Sequence, residues 1–176
     1  MKKFALVLLV LLLPIAAFLH YNLKKHAIVE ITSIEVRRVD SAGENSDQSA
    51  KTRDMFLVFA RNPETKEPLV FRNEDTGWSW PWYFKFDSAD VQARAGAMAA
   101  DREIAVISYY GWRVNLLSMF PNVLNVRSGT LDETIIPWFN IIVISILFGA
   151  LALLYRTFRR IFARFFGKRP SEVLER

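Results

Sequence analysis

The sequence predicts a membrane-anchored α+β protein: two transmembrane helices flank a small OB-like five-stranded β-barrel, with one helix between strands three and four. Three observations carry the prediction. Two apolar runs of spanning length bracket the middle of a 176-residue chain. Five β-rich runs lie between them, and an alanine-rich stretch separates the third from the fourth. An open α+β sandwich is the competing arrangement of the same elements.

The first apolar run is FALVLLVLLLPIAAFLHYN (Phe4–Asn22), the second IIPWFNIIVISILFGALALLY (Ile135–Tyr155). A spanning helix needs about 20 such residues. Pro14 should kink the first. The first run also has features of a cleaved signal peptide, with Lys2 and Lys3 ahead of a short apolar core. The exit IAAFLHYN then places large Phe18 and Leu19 where small residues belong, which favours an uncleaved anchor.

Basic residues concentrate at both ends. Lys2 and Lys3 precede the first run, and RTFRRIFARFFGKR after the second carries six Lys or Arg. By the positive-inside rule both ends face the cytoplasm, although Lys24 and Lys25 pull mildly the other way. Five regions follow: a cytoplasmic start (1–3), a first span (4–22), a periplasmic β-rich domain (23–134), a second span (135–155) and a basic cytoplasmic tail (156–176). A bacterial inner membrane suits this plan. Residues 21–136 hold 14 basic and 16 acidic side chains, a balance of −2. The overall charge of +5 therefore belongs to the ends. It is a signal for topology and anionic lipid, not for nucleic acid. The chain has no cysteine, so the exported part relies on a core rather than disulfides.

His26–Asp40 is rich in Val and Ile without Gly or Pro, one long strand. Ser41–Arg53 has no large apolar residue and reads as a solvated loop. Asp54–Arg61 and Pro68–Arg72 flank NPETKE as a hairpin. In DSADVQARAGAMAAD, Asp87 or Ser88 is the expected N-cap, and Val91, Ala95 and Met98 form a packing face. Glu103–Tyr110 and Asn122–Arg127 are the last strands, joined by GWRVNLLSMFPN.

Signatures of common enzymes (GxSxG, HExxH, SxxK and the P-loop) do not occur. His20 and His26 lie six apart without Cys or adjacent carboxylate, a poor metal site. The pairs Glu74–Asp75, Asp87–Asp90 and Asp132–Glu133 have ordinary roles at a turn, a helix start and the entry to the second span. The expectation is a non-enzymatic protein with no catalytic residue, metal or cofactor.

In the tail, Phe158, Ile161, Phe162, Phe165 and Phe166 follow helical spacing, with cations mostly between them. Arg156, Arg159, Arg160, Arg164, Lys168 and Arg169 are candidate contacts to anionic lipid at the cytoplasmic face. A plain stop-transfer flank is the alternative.

Six stretches carry a resemblance: FLHY (Phe18–Tyr21), EVRR (Glu35–Arg38), RNEDTGWSWPWYFKFDSAD (Arg72–Asp90), YYGWR (Tyr109–Arg113), LSMFPNVLNV (Leu117–Val126) and IPWFN (Ile136–Asn140). The chain resembles an uncharacterised bacterial family, domain of unknown function 1523. The resemblance implies small envelope proteins with terminal spans; it implies no activity, cofactor or site residue.

Arg72–Phe84 packs Trp78, Trp80 and Trp82 into five residues. Three readings compete. If the segment is extended, alternation stacks the indoles on the barrel or its helix as buried structure, and Trp80–Pro81 is a candidate cis bond. Alternatively Arg72, Trp78, Trp80, Trp82, Tyr83, Trp112 and Arg113 form a surface for a partner, or the indoles perch at headgroup depth. The corresponding roles are a scaffold for an envelope protein partner or a second copy, as an accessory subunit of a membrane complex; a binder of a small molecule, lipid or glycan in the barrel mouth; and, least favoured, an exported hydrolase.

Overall fold

A computed structural model describes residues 2–40 and 52–166. The elements run α1 (Lys2–Asn22), β1 (Lys25–Asp40), β2 (Thr52–Arg61), β3 (Pro68–Arg72), α2 (Ser88–Asp101), β4 (Ile104–Tyr110), a 3-10 turn (Asn115–Leu117), β5 (Asn122–Ser128) and α3 (Trp138–Phe166). Two compact units divide the chain, residues 1–135 and 136–176.

The first unit contains α1, the strands and α2. Its strands close into a mixed barrel in the order β1-β2-β3-β5-β4. Closure depends on the length of β1. Lys25–Glu30 pairs with β4, and Glu30–Asp40 with β2. A bulge between Ile31 and Ser33 bends the strand where it changes partners, since an extra residue raises local twist. At that crossing Glu30 is buried, and Arg61 bonds it with Nε to Oε2 at 2.8 Å and Nη2 to Oε1 at 2.5 Å. The β3–β5 seam is parallel, and Arg72↔Asn122 is its one recorded pairing.

Alternation fills the interior. Val29 and Ile31 of β1, Val58 and Ala60 of β2, Phe71 of β3, Ala105 and Ile107 of β4, and Val123 and Val126 of β5 form the core. Helix α2 covers it with Val91 and Ala95, while Met98 packs on the edge. The hairpin turn closes through Asn62, whose Oδ1 accepts the N–H groups of Glu64 and Thr65.

The helix sits between the third and fourth strands and Asp87 holds its N-cap position, both as expected, but the capping bond comes from elsewhere. Asp87 makes no side-chain capping bond. Asp75, thirteen residues before the helix, takes that role: its Oδ1 accepts the Ser88 N–H at 2.9 Å and its Oδ2 the Ser88 hydroxyl at 2.8 Å. At the other end Arg102 adopts a left-handed conformation, and its N–H and that of Glu103 return to Ala99 and Met98, a Schellman closure.

In the second unit, α3 runs without a break from the apolar segment into the basic one. Trp138–Ala163 is long and apolar enough to cross a membrane. Of the expected loop Ser41–Arg53, only Thr52 and Arg53 are described, and they belong to β2.

Candidate functional site

Residues 73–87 form no strand. Gly77 and Phe84 take positive φ and the Trp80–Pro81 bond is cis, so the alternation expected of an extended segment is lost. The indoles do not stack on the barrel as a buried face: Trp78, Trp80 and Trp82 are 78%, 51% and 64% exposed. The burial reading is corrected for all three; Tyr83, on the alternate face of that reading, is the one half-buried, against Tyr110.

A buried polar base holds this loop. Asn73 is fully buried; its Nδ2 donates to the Ser88 carbonyl and to Gln92 Oε1. The side chain of Asn122 brackets the Glu74 backbone, accepting its N–H at 2.9 Å and donating to its carbonyl at 3.0 Å. The Lys85 N–H donates to Thr76 Oγ1 and its carbonyl accepts the Gly77 N–H, closing the neck of the loop. Lys85 points inward, donating Nζ to Asn73 Oδ1 and to the Val123 carbonyl. Burial pushes its pKa down to about 8, against the opposing pull of Asp87, Asp75 and Glu74.

The loop closes around the last two turns of α1. Trp80 stacks on Phe18, and Tyr83 donates its hydroxyl to the Asn22 carbonyl. From the other side Trp112 Nε1 donates to His20 Nδ1 at 2.7 Å, its ring meets Tyr21 edge-on, and Gly111 donates its N–H to the Tyr21 carbonyl. Phe18 and His20 are two residues apart, about 200° around a helix. The two loops thus hold the end of α1 through different residues, and together they form an aromatic collar. Gly111 has a φ of +93°, a conformation an L side chain resists, and that turn brings Trp112 to the helix.

Trp78 lies apart from the grip, edge-on to Phe84 and Phe86, with all three exposed. On the second loop Leu116 is 93% exposed, and Leu117 is also exposed. Arg113 stacks over Phe120 at 4.0 Å and donates Nη1 to the Met119 carbonyl. Arg72 turns back to Glu74, 3.4 Å away, and of the seven expected surface residues it and Tyr83 are only partly exposed. Arg156, Arg159 and Arg160 are exposed on α3; the side chain of Arg164, and Lys168 and Arg169 altogether, lie outside the described residues.

A cavity of about 660 Å³ opens beside the collar, between β3, the start of β1 and the Gly111–Pro121 loop. Sequence reasoning missed Lys85 and the long-range cap from Asp75. Among the described residues no group of three His, Cys, Asp or Glu is placed to hold a metal ion.

The chain matches, over residues 1–163, the model of a family described as Protein of unknown function (DUF1523). A Haemophilus influenzae relative described as an uncharacterized protein is 37% identical over 120 residues. That alignment covers 66% of this chain and 66% of the relative, just under two thirds of the relative's length. No solved structure matches.

Proposed function

Because this chain belongs to the DUF1523 family, whose description assigns no activity, we propose its role from its architecture alone: a non-enzymatic two-pass protein of the bacterial inner membrane. Both termini are cytoplasmic, and an OB-like periplasmic barrel scaffolds an envelope protein partner or a second copy. The collar carries this reading. It fixes a folded barrel to the exit of an apolar helix, and tryptophan favours headgroup depth. The barrel then sits on the outer face of the bilayer, and Trp78, Trp82, Phe84 and Phe86, exposed beside the grip, supply the large anchors that interfaces use. The cations of α3 from Arg156 onward contact anionic lipid at the cytoplasmic face. The hydrolase alternative has weaker support. The carboxylates with shifted pKa values, Glu30 and Glu133, are both lowered, first by hydrogen bonds from Arg61 and Arg127, the opposite of an acid kept protonated by burial.

The test is affinity purification in mild detergent followed by mass spectrometry. A stoichiometric companion, or a second copy, that is retained by the parent and lost on Trp78→Ala with Trp82→Ala supports scaffolding. Equal recovery with both chains contradicts it. The cavity favours a second reading, a binder of a small amphiphilic molecule at the barrel mouth.

A further inference from the structure

We propose that the cavity beside Trp112 binds an anionic amphiphile, a molecule with an apolar chain and a carboxylate or phosphate head. The proposal rests on the membrane-seated reading only for where the ligand comes from; the chemistry of the cavity is independent of it.

The cavity floor is the barrel core itself. Phe71 belongs to the core, and Ala27, Leu69 and Tyr109 pack against it. An apolar chain entering there removes surface from water on both sides, which favours binding. The opening has a structural cause. The β3–β5 seam pairs at Arg72↔Asn122, so the edge of Pro68–Val70 that is not paired with β2 opens onto the cavity. The volume of about 660 Å³ is in the range of small-molecule sites, roughly 300–1,000 Å³.

The mouth is cationic. Lys25 and Arg113 line it, and no carboxylate lines it. Among the described residues neither cation forms an ion pair. Lys25 Nζ donates to the Gly111 carbonyl at 3.0 Å, and Arg113 to the Met119 carbonyl. Both use neutral acceptors and keep further donors for an anion, and charge-assisted bonds of that kind are the stronger ones. Burial also disfavours the charged form of Lys25, a penalty that a bound anion would offset. Lys25 stands three residues beyond the end of α1, so a helix that spans the bilayer sets this mouth near the headgroups. Exposed Leu116 and Leu117 sit on the loop that forms its rim. A chain above and an anion at the entrance match a bilayer phospholipid and a free single-chain amphiphile equally well.

The experiment uses the full chain in phosphatidylcholine nanodiscs, with Trp78, Trp80, Trp82 and Trp138 replaced by Phe so that Trp112 reports alone. Dodecyl phosphate is the probe and dodecyl maltoside the uncharged control. The expected result is a saturable change in Trp112 emission with dodecyl phosphate only. Lys25→Gln with Arg113→Gln should weaken it at least tenfold. Asn115→Glu, which adds a negative charge at the rim without touching the core, should weaken it as well. Equal affinity in all three chains, or an equal response to the maltoside, overturns the proposal. Native mass spectrometry from discs containing phosphatidylglycerol separates the sources: one retained phospholipid per chain identifies the bilayer, and binding of dodecyl phosphate without retention identifies a free amphiphile. Retention of a protein companion is read separately, so scaffolding and ligand binding fail independently.

Discussion

Trp80 stacks on Phe18 with ring centroids 5.4 Å apart and planes 19° from parallel. One residue belongs to a loop of the barrel domain and the other to the last turn but one of an apolar helix. The contact joins the folded domain to that helix, and the Tyr83 hydroxyl on Asn22 and the Trp112 indole on His20 repeat the join at two further points. A short linker would leave the barrel free to tilt; three contacts within five residues of helix do not.

The stacked pair should be measurable as a coupling. A double-mutant cycle of Phe18→Ala and Trp80→Ala, read by thermal unfolding in detergent, should return about 0.5–1.5 kcal/mol for the ring contact. Tyr83→Phe, which removes only the hydroxyl, should cost about 1 kcal/mol. Additivity of the two alanine changes would show that the rings do not act together.

Asp75 and Asp87 should separate cleanly. Asp75→Ala removes both bonds to Ser88 at the start of α2 and should destabilise by about 1–2 kcal/mol. Asp87→Ala loses a half-exposed ion pair with Arg94, at 3.6 Å, and one of three carboxylates that act on Lys85, and should cost clearly less than Asp75→Ala, about 0.5 kcal/mol. Denaturant midpoints of the two variants decide the point; equal losses would return the capping role to Asp87.

Lys85 makes stability depend on alkaline pH. Its folded pKa of about 8 lies below the ordinary 10.5, so between these values the unfolded chain binds more protons, and stability rises with pH. The gain is complete only above 10.5 and is at most about 3 kcal/mol, at 1.36 kcal/mol per pKa unit. Lys25, lowered in the same direction, adds to the rise. Tyr83, pushed up to about 12 by burial, opposes it above pH 10, where the folded chain keeps a proton that the unfolded chain loses. Unfolding free energies from pH 7.5 to 10 should therefore climb in the parent and climb less in Lys85→Met. An unchanged slope in that variant would show that the buried ammonium is not the group responsible.

Gly111 sits where φ is +93°, and a Cβ there would lie 3.5 Å from Pro121 Cα and 3.7 Å from the Tyr21 ring. Gly111→Ala should therefore cost about 1–3 kcal/mol, from backbone strain rather than lost contacts. Melting temperature measures the loss. The Trp112 emission spectrum should shift as the indole leaves His20, and a variant as stable as the parent with an unmoved spectrum would contradict the role given to this turn.

Local chemistry made most of the fold legible. Val and Ile recurring through β1 without Gly or Pro, Asn62 and Pro63 between β2 and β3, and the spacing of Val91 and Ala95 each point to one answer within a few residues. The candidate site was less legible because long-range partners decide it. A lysine in WYFKFD reads as a solvent-facing charge; its burial depends on Asn73 and on the carbonyl of Val123, 38 residues away. Asp75 reads as a turn residue until Ser88 is folded against it. Alternation of Trp78, Trp80 and Trp82 points to a buried face only in an extended chain, and the positive φ values of Gly77 and Phe84 remove that premise. That the aromatic stretch would meet FLHY at the end of α1, some 60 residues earlier, has no local signal at all.

The central claim is that the collar seats the barrel at the membrane surface. Depth-dependent quenching of Trp80 by brominated phospholipids tests it most directly, in a chain where Trp78, Trp82, Trp112 and Trp138 are Phe. The account predicts strong quenching by bromines near the headgroups, weaker quenching by bromines deep in the acyl chains, and partial protection from aqueous acrylamide. Full access to acrylamide with no quenching by either lipid would place Trp80 in open water and contradict the account.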